Sequence, residues 1–191
     1  MPAAQPFIVG VGGTTRAGSS TEKALMSALA AARELGAETD AFVGPELMLP
    51  PYAPEDPSRT EAAMRLVAAL RRADGVILAS PGYHGGMSGL IKNALDYAED
   101  LSGDDPPYLD GRAVGVIVAA GGWQATATAL QSLRNVVHAL RGWPTPLGVA
   151  INTAEPAFDE GGAPLDPKVR AQLRLVAEQV VGFAGDRASR R

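Results

Sequence analysis

Three glycine-rich segments carry the side chains in this sequence that could bind a small charged ligand. The first, GGTTRAGSST at residues 12–21, groups five hydroxyls around one guanidinium, namely those of Thr14, Thr15, Ser19, Ser20 and Thr21 around Arg16. The other two are PGYHGG at 81–86 and GGW at 121–123. Hydroxyls, guanidinium groups and free backbone amides are the donors that bind phosphate in proteins. The first segment therefore predicts a phosphate site.

Two familiar phosphate-binding patterns do not fit this segment. The dinucleotide pattern G-x-G-x-x-G, begun at Gly10, would require glycine where Thr15 stands. The P-loop pattern, begun at Gly13, would require lysine where Ser19 stands, and without that lysine an NTPase is disfavoured. The remaining donors suit a compact terminal phosphate that one loop can surround. The alternative is that Ser19 only caps the following helix and Arg16 is solvated.

The elements that must position these segments alternate between apolar runs and segments with helical periodicity. Predicted strands cover residues 7–11, 38–43, 75–80, 113–120 and 147–152. Predicted helices cover 19–35, 58–73, 88–101, 124–140 and 166 onward. Capping boxes, Ser19 with Glu22 and Ser58 with Glu61, are expected to start the first two helices. Residues 185–191 are expected to be a frayed tail.

This alternation predicts a single α/β domain over residues 1–191. Parallel strands need helical crossovers, which are right-handed, so we expect three layers and a doubly wound five-stranded parallel sheet. Five strands favour the flavodoxin-like order 2-1-3-4-5. In such sheets ligands bind beyond the carboxyl ends of the strands at the switch point, here between the first and third strands. The three glycine-rich segments follow strands at that edge.

The composition excludes several other classes of function. With 17 basic and 21 acidic residues the net charge is −4, so no basic excess is available for nucleic acid or an anionic membrane. Cysteine is absent and only two histidines occur, which disfavours thiol chemistry and a metal site. No apolar run approaches the roughly 18 residues of a membrane span. The start, MPAAQPFIVGV, has no basic region, so we expect no signal peptide and a cytoplasmic location.

Three segments, GGTTRAGSST, PGYHGGMSGLIKNALDYAED and VAAGGW, together resemble the NADPH-dependent FMN reductase family, which has a flavodoxin-like fold. The family's phosphate loop resembles G-S-x-R-x-x-S, which Thr14, Arg16 and Ser19 match. Its second signature resembles P-x-Y-[NH]-G-x-x-[PS]-G-x-[LI]-K-N-A-L-D and runs here from Pro81 to Asp96. Gly82 stands where the quinone- and azo-reducing branch often has Glu, and Gly86-Met87 where it often has Ser-Ile.

The resemblance implies FMN as cofactor, with NADPH or NADH as electron donor. The phosphate would be held by Thr14, Arg16, Ser19, Ser20 and Thr21. The isoalloxazine edge would be lined by Pro81, Gly82, Tyr83, His84 and Gly85, and its pyrimidine side by Gly121, Gly122 and Trp123. No catalytic side chain is expected, because hydride chemistry belongs to the flavin.

The function expected from this resemblance is NAD(P)H-dependent FMN reduction, with electrons passed to free flavin or another small acceptor. The alternatives are a quinone- or azo-type reductase with tightly bound FMN, a flavodoxin-type electron carrier, and a binding domain without chemistry. The net charge of −4 disfavours the carrier, since flavodoxins are far more acidic for their length. The resemblance also implies a homodimer or homotetramer, and a flavin-dependent monooxygenase as a candidate partner.

Overall fold

The structure, a computed structural model, describes residues 5–188. Six strands and five α-helices follow one another, and two short 3-10 helices, Gly44–Leu47 and Tyr97–Leu101, lie between them. In chain order the strands and α-helices are β1 Phe7–Gly12, α1 Ser20–Glu34, β2 Glu38–Val43, α2 Glu61–Arg72, β3 Gly75–Tyr83, β4 Gly86–Met87, α3 Gly89–Asp96, β5 Ala113–Ala120, α4 Trp123–Ala139, β6 Trp143–Asn152 and α5 Pro167–Ala188.

The main sheet is parallel, with order β2-β1-β3-β5-β6. Counting these five strands along the chain gives 2-1-3-4-5, so the predicted doubly wound order is confirmed. The strand count differs, because β4 pairs antiparallel with the end of β3 as a sixth strand. The expected end of the third strand, residue 80, is therefore wrong. Residues 81–83, predicted as part of a turn, continue β3 instead.

The central strands are apolar on both faces, and each face has its own core. Successive side chains of a strand point to opposite sides of a sheet. Accordingly Leu78 is buried under α2, α3 and α4, whereas its neighbour Ile77 is buried under α1 and α5. Helices thus cover both faces, which leaves the two ends of the sheet as the places where polar loops gather.

The first helix begins at the predicted cap residue, but only half of the capping box forms, because the Glu22 carboxylate accepts from the Gly18 amide rather than from that of Ser19. The Ser19 hydroxyl accepts a hydrogen bond from the Glu22 amide at 3.2 Å. The second box is wrong, because Thr60, not Ser58, caps α2 and accepts from the Ala63 amide. The Ser58 amide instead donates to the side chain of Asp56, and that local turn keeps Ser58 outside the helix.

Three other boundaries depart from the sequence pattern. The predicted helix 88–101 is α3 followed by a 3-10 turn from Tyr97. The last strand starts at Trp143, before the predicted residue 147, and a register shift with β5 accommodates its extra length. The described part of α5 continues to Ala188, inside the tail predicted at 185–191, and residues 189–191 lie outside the described range. No described helix is long and apolar enough to cross a membrane.

Candidate functional site

The carboxyl ends of β1 and β3 approach each other closely, and the first glycine-rich loop starts from that contact. A Cβ added to Gly12 would lie 2.6 Å from the carbonyl oxygen of Ala79, so only glycine fits between these strands. The Gly13 amide donates to the same oxygen at 3.3 Å. The backbone of the first loop is therefore anchored on the central strand.

The loop from Gly13 to Ser19 then turns away from the sheet. Gly13 and Gly18 adopt left-handed φ angles of +101° and +68°. The Thr14 hydroxyl accepts from the Arg16 amide and donates to the Arg16 carbonyl, both at 3.1 Å, which closes a small turn. The Arg16 side chain is exposed, and no side chain within residues 5–188 pairs with its guanidinium.

The five residues predicted to hold a phosphate differ in their availability. Ser19 and Thr21 are buried, and the Ser19 hydroxyl caps α1, whereas Ser20 and Thr14 are half-buried. Among the described hydrogen bonds, none engages the backbone amides of Ser19, Ser20 or Thr21. Such first-turn amides and the positive end of the helix dipole attract anions. These amides together with Arg16 fit a phosphate better than any neutral group.

The second glycine-rich segment forms a β-hairpin rather than an open turn. Tyr83 pairs with Gly86, and the two residues between them, His84 and Gly85, have φ angles of +48° and +87°. Positive φ at both central positions is the signature of a type I′ turn. A Cβ on Gly82 would lie 3.0 Å from the Ala125 carbonyl, so the hairpin packs closely on α4.

The base of this hairpin is held by a buried hydroxyl. The Ser80 hydroxyl donates to the Pro81 carbonyl at 2.8 Å and accepts from the Ser88 amide at 3.0 Å. Ser88 is itself buried and caps α3. One side chain thus joins the end of the parallel sheet, the hairpin and the start of the next helix.

The third segment lies at the end of β5, where α4 begins at Trp123 with Gly122 as a cap residue that has no side-chain bond. Trp123 is 65% exposed and Tyr83 on the hairpin is 54% exposed. A Cβ added at Gly121 or Gly122 would meet nothing within 4 Å, and the same holds at Gly85 in the hairpin. These glycines border open space, where backbone donors and acceptors can approach a flat polar ring closely.

The three loops therefore place a phosphate-type donor set beside two exposed aromatic side chains and a glycine-lined edge. This donor set fits FMN, which joins a terminal phosphate to a flat ring with polar atoms along one edge. Within the described residues no cluster of three metal-ligating side chains occurs.

A neighbouring loop carries a second arginine, which the sequence reasoning did not single out. Arg59 donates to both carboxylate oxygens of Asp100, at 2.7 and 2.9 Å, and stacks over the ring of Tyr52 at 4.9 Å. The Tyr52 hydroxyl also donates to Asp100, and Asn93 binds the backbone at Leu49, Pro50 and Tyr52. The proline-rich connection after β2 is thereby fastened to α3 and the 3-10 turn that follows it.

The charged and polar side chains that fasten this loop stabilise one another. Hydrogen bonds from Arg59 hold the pKa of Asp100 below its ordinary value, and the bond with Asp100 raises the pKa of Arg59. Burial raises the pKa of Tyr52, with a further contribution from Asp100. Charges and donors here satisfy one another, so this region offers little to a ligand.

A cavity of about 610 Å³ lies beside the candidate site, between α1, residues 160–164 and the first half of α5. Its lining carries both charge signs, from Lys23, Arg170 and Arg174 and from Glu22, Glu34 and Glu160. Arg174 is already paired with Glu34 at 2.7 Å, and Lys23 donates to the Asp159 carbonyl at 2.8 Å. The sequence reasoning gave no indication of this cavity, which shares Glu22 with the first loop.

Comparison with known proteins gives a family and a relative. The family model described as NADPH-dependent FMN reductase matches residues 6–156. The FMN-dependent NADPH-azoreductase of Staphylococcus aureus is 34% identical over 116 residues, which are 60% of this chain. The matched stretch spans only 58% of that relative's own length.

Solved structures agree on the architecture. An NADH:FMN oxidoreductase in its apo form superposes with a TM-score of 0.72 at 22% identity, covering 94% of this chain and 89% of that one. A flavodoxin, WrbA-like protein from Agrobacterium tumefaciens superposes with a TM-score of 0.66 at 16% identity, covering 94% and 98%. At these identities the likeness shows the flavodoxin-like fold.

Proposed function

Because the chain belongs to the NADPH-dependent FMN reductase family, we propose that it is an NAD(P)H-dependent FMN reductase acting through a single FMN-binding domain. The observation that carries this proposal is the edge of the sheet where β1, β3 and β5 end. First-turn amides and an Arg16 guanidinium that have no partner among the described residues stand there beside the glycine-lined ends of β3 and β5. That combination supports a mononucleotide with a flat ring better than a dinucleotide or a nucleoside triphosphate.

When bound, FMN supplies the redox chemistry, namely acceptance of a hydride from NADPH or NADH and delivery of two electrons to a small acceptor. The residues of this chain bind the FMN and orient its ring. Arg16 brings a positive charge to the phosphate, the amides of Ser19, Ser20 and Thr21 donate hydrogen bonds to it, and Thr14 shapes the loop that presents them. The backbone of 81–85 and 121–122 supplies donors and acceptors to the ring edge. Tyr83 and Trp123 offer apolar faces that limit water around it.

The proposed acceptor is free flavin or another small molecule. A second candidate is an azo or quinone compound, and the 34% identity to an azoreductase favours it. Gly82, however, leaves no side chain where Glu often stands in that branch, and a larger residue would require Ala120 and Ala125 to shift, since its Cβ would lie 3.0 Å from each. The acceptor therefore meets a site bounded by backbone and aromatic rings rather than by a carboxylate.

The proposal also includes assembly as a homodimer or homotetramer. It further includes a monooxygenase partner that receives reduced flavin, and a cytoplasmic location. Tyr83 and Trp123 are both exposed beside the candidate site, so their rings are accessible to a second subunit.

Flavin binding followed by rapid reduction tests the proposed function. Purified protein should quench FMN fluorescence on titration. The FMN-loaded protein should lose its flavin absorbance within seconds when mixed anaerobically with NADPH or NADH. Steady-state oxidation of the nucleotide should then be measured with FMN, an azo dye and a quinone as acceptors. Failure to bind FMN would contradict the proposal, and binding without reduction by either nucleotide would favour an electron carrier.

A further inference from the structure

A carboxylate already occupies part of the phosphate loop. Glu22, in the first turn of α1, accepts a hydrogen bond from the Gly18 amide at 3.2 Å. Its Cβ also lies 3.5 Å from the position of a Cβ added to Gly13, at the other end of the loop. Glu22 therefore spans the base of the loop that the flavin phosphate is proposed to bind.

This carboxylate must lie close to any anion in the loop. The amides of Gly18 and Ser19 belong to consecutive residues, whose Cα atoms are about 3.8 Å apart. An anion bonded to the Ser19 amide would thus sit within about 10 Å of the Glu22 carboxylate oxygen that accepts from Gly18. That distance is comparable with the screening length of about 8–10 Å at ordinary ionic strength, so the repulsion is felt.

Glu22 and a bound phosphate would also be stabilised by the same groups. Both accept from loop amides, and both gain from the positive end of α1. Lys23 donates to the Asp159 carbonyl, and none of the described ion pairs includes Glu22.

We propose that Glu22 is an affinity-determining residue of the flavin site, which weakens binding of the FMN phosphate while it preorganises the empty loop. This inference rests on the proposed function. Its consequence is that the mononucleotide exchanges more readily than the loop's donor set alone would allow, while binding of the ring is unaffected.

The test is a comparison of two ligands and two variants. Glu22→Gln keeps an acceptor for the Gly18 amide and removes the charge, so the fold should be retained, as thermal unfolding would show. At low salt, Glu22→Gln should bind FMN about three- to tenfold more tightly than the parent, whereas riboflavin, which lacks the phosphate, should change less than twofold. At about 1 M NaCl the gain for FMN should fall below twofold, because the screening length shrinks to about 3 Å.

Glu34→Gln is the matched control, since it makes the same charge change in the last turn of α1, about 18 Å along the helix. It should leave FMN affinity within twofold. If the parent prefers FMN to riboflavin and Glu22→Gln gives no salt-dependent gain, the inference about Glu22 is overturned and the proposed function stands. If the parent binds neither flavin, the proposed function is overturned and the inference with it.

Discussion

Two arginines stand in the connections after neighbouring strands, and the fold uses them differently. Arg59, after β2, binds both oxygens of Asp100 and stacks on Tyr52. Arg16, after β1, is exposed and pairs with no side chain of the described range. The first arginine joins parts of the protein, whereas the second is left with unused donors beside unpaired amides. What separates the structural arginine from the one proposed to bind the phosphate is therefore the partner, not the residue type.

The largest effect should come from the unpaired arginine. Arg16→Ala should weaken FMN binding by roughly 1.5–3 kcal/mol, because a charge-assisted hydrogen bond to the phosphate is lost. The free energy of unfolding should change by less than about 0.5 kcal/mol, since the side chain is exposed and its guanidinium makes no hydrogen bond or ion pair within residues 5–188. FMN titration and urea denaturation of the same sample measure both. Arg33→Ala, at the opposite end of α1, is the control and should leave FMN affinity unchanged.

A different result for Arg16 would break the comparison. Unchanged FMN affinity would remove the phosphate from this loop and leave Arg16 as a solvated surface residue. A loss of stability as large as the loss of affinity would assign Arg16 a structural role like that of Arg59.

A smaller effect, on stability and not on binding, should come from the paired arginine's partner. Asp100→Asn should lower the free energy of unfolding by about 1–2 kcal/mol, because a well-shielded, bidentate pair is broken and Tyr52 loses a charged acceptor. FMN affinity should stay within twofold. Asp96→Asn is the matched control, since its pair with Lys92 is exposed and should contribute less than about 0.5 kcal/mol.

The pH dependence sharpens this test. The pKa of Asp100 is lowered in the folded protein from an ordinary value of 3.8, so its contribution to stability is fully present above that value. The contribution is lost as the pH falls through the lowered pKa. The stability difference between the parent and Asp100→Asn should therefore be constant from about pH 7 to 5 and shrink below about pH 4. A difference that stays constant in acid would mean that packing, not charge, accounts for it.

The smallest effect concerns the hairpin. His84 has a φ of +48° at the first central position of the type I′ turn, where Asn is favoured. His84→Asn should raise the free energy of unfolding by about 0.5 kcal/mol or less and leave FMN affinity within twofold, because the turn presents backbone to the ligand. His138→Asn, on the exposed side of α4, is the control. A marked loss of FMN affinity for His84→Asn alone would show that the imidazole itself contacts the ligand.

Most of the fold could be predicted from the sequence, because period, capping and crossover rules are local or general. The apolar runs at Gly75–Ser80 and Ala113–Ala120 predicted central parallel strands. The sheet order was predicted from the total of five strands. The hairpin could not be predicted in the same way, since PGYHGG shows no alternation of apolar and polar residues. Its pairing depends on Ser80, whose hydroxyl reaches the Ser88 amide across the turn.

The candidate site was predictable in its position and less so in its detail. Topology and glycine content indicated the three loops, but the use of each hydroxyl depends on tertiary contacts. The spacing of Ser19 and Glu22 predicted the helix cap. It did not decide that Thr14 closes a turn or that the Glu22 carboxylate reaches back to Gly18. The Arg59–Asp100 pair joins residues 41 positions apart, so local pattern gave no signal for it.

The hairpin is a direct continuation of the central strand of the sheet, and this limits how the protein can move around a ligand. A loop on a flexible hinge could close over a ligand. The strand β3, however, is hydrogen-bonded to β1 on one side and β5 on the other almost to the residue where the hairpin begins. Any swing of the tip would have to bend the middle of the main sheet. Adaptation to ligands of different size must then come from rotation of exposed rings such as Tyr83 and Trp123. The backbone on that side keeps its position and so limits the size of ligand that fits.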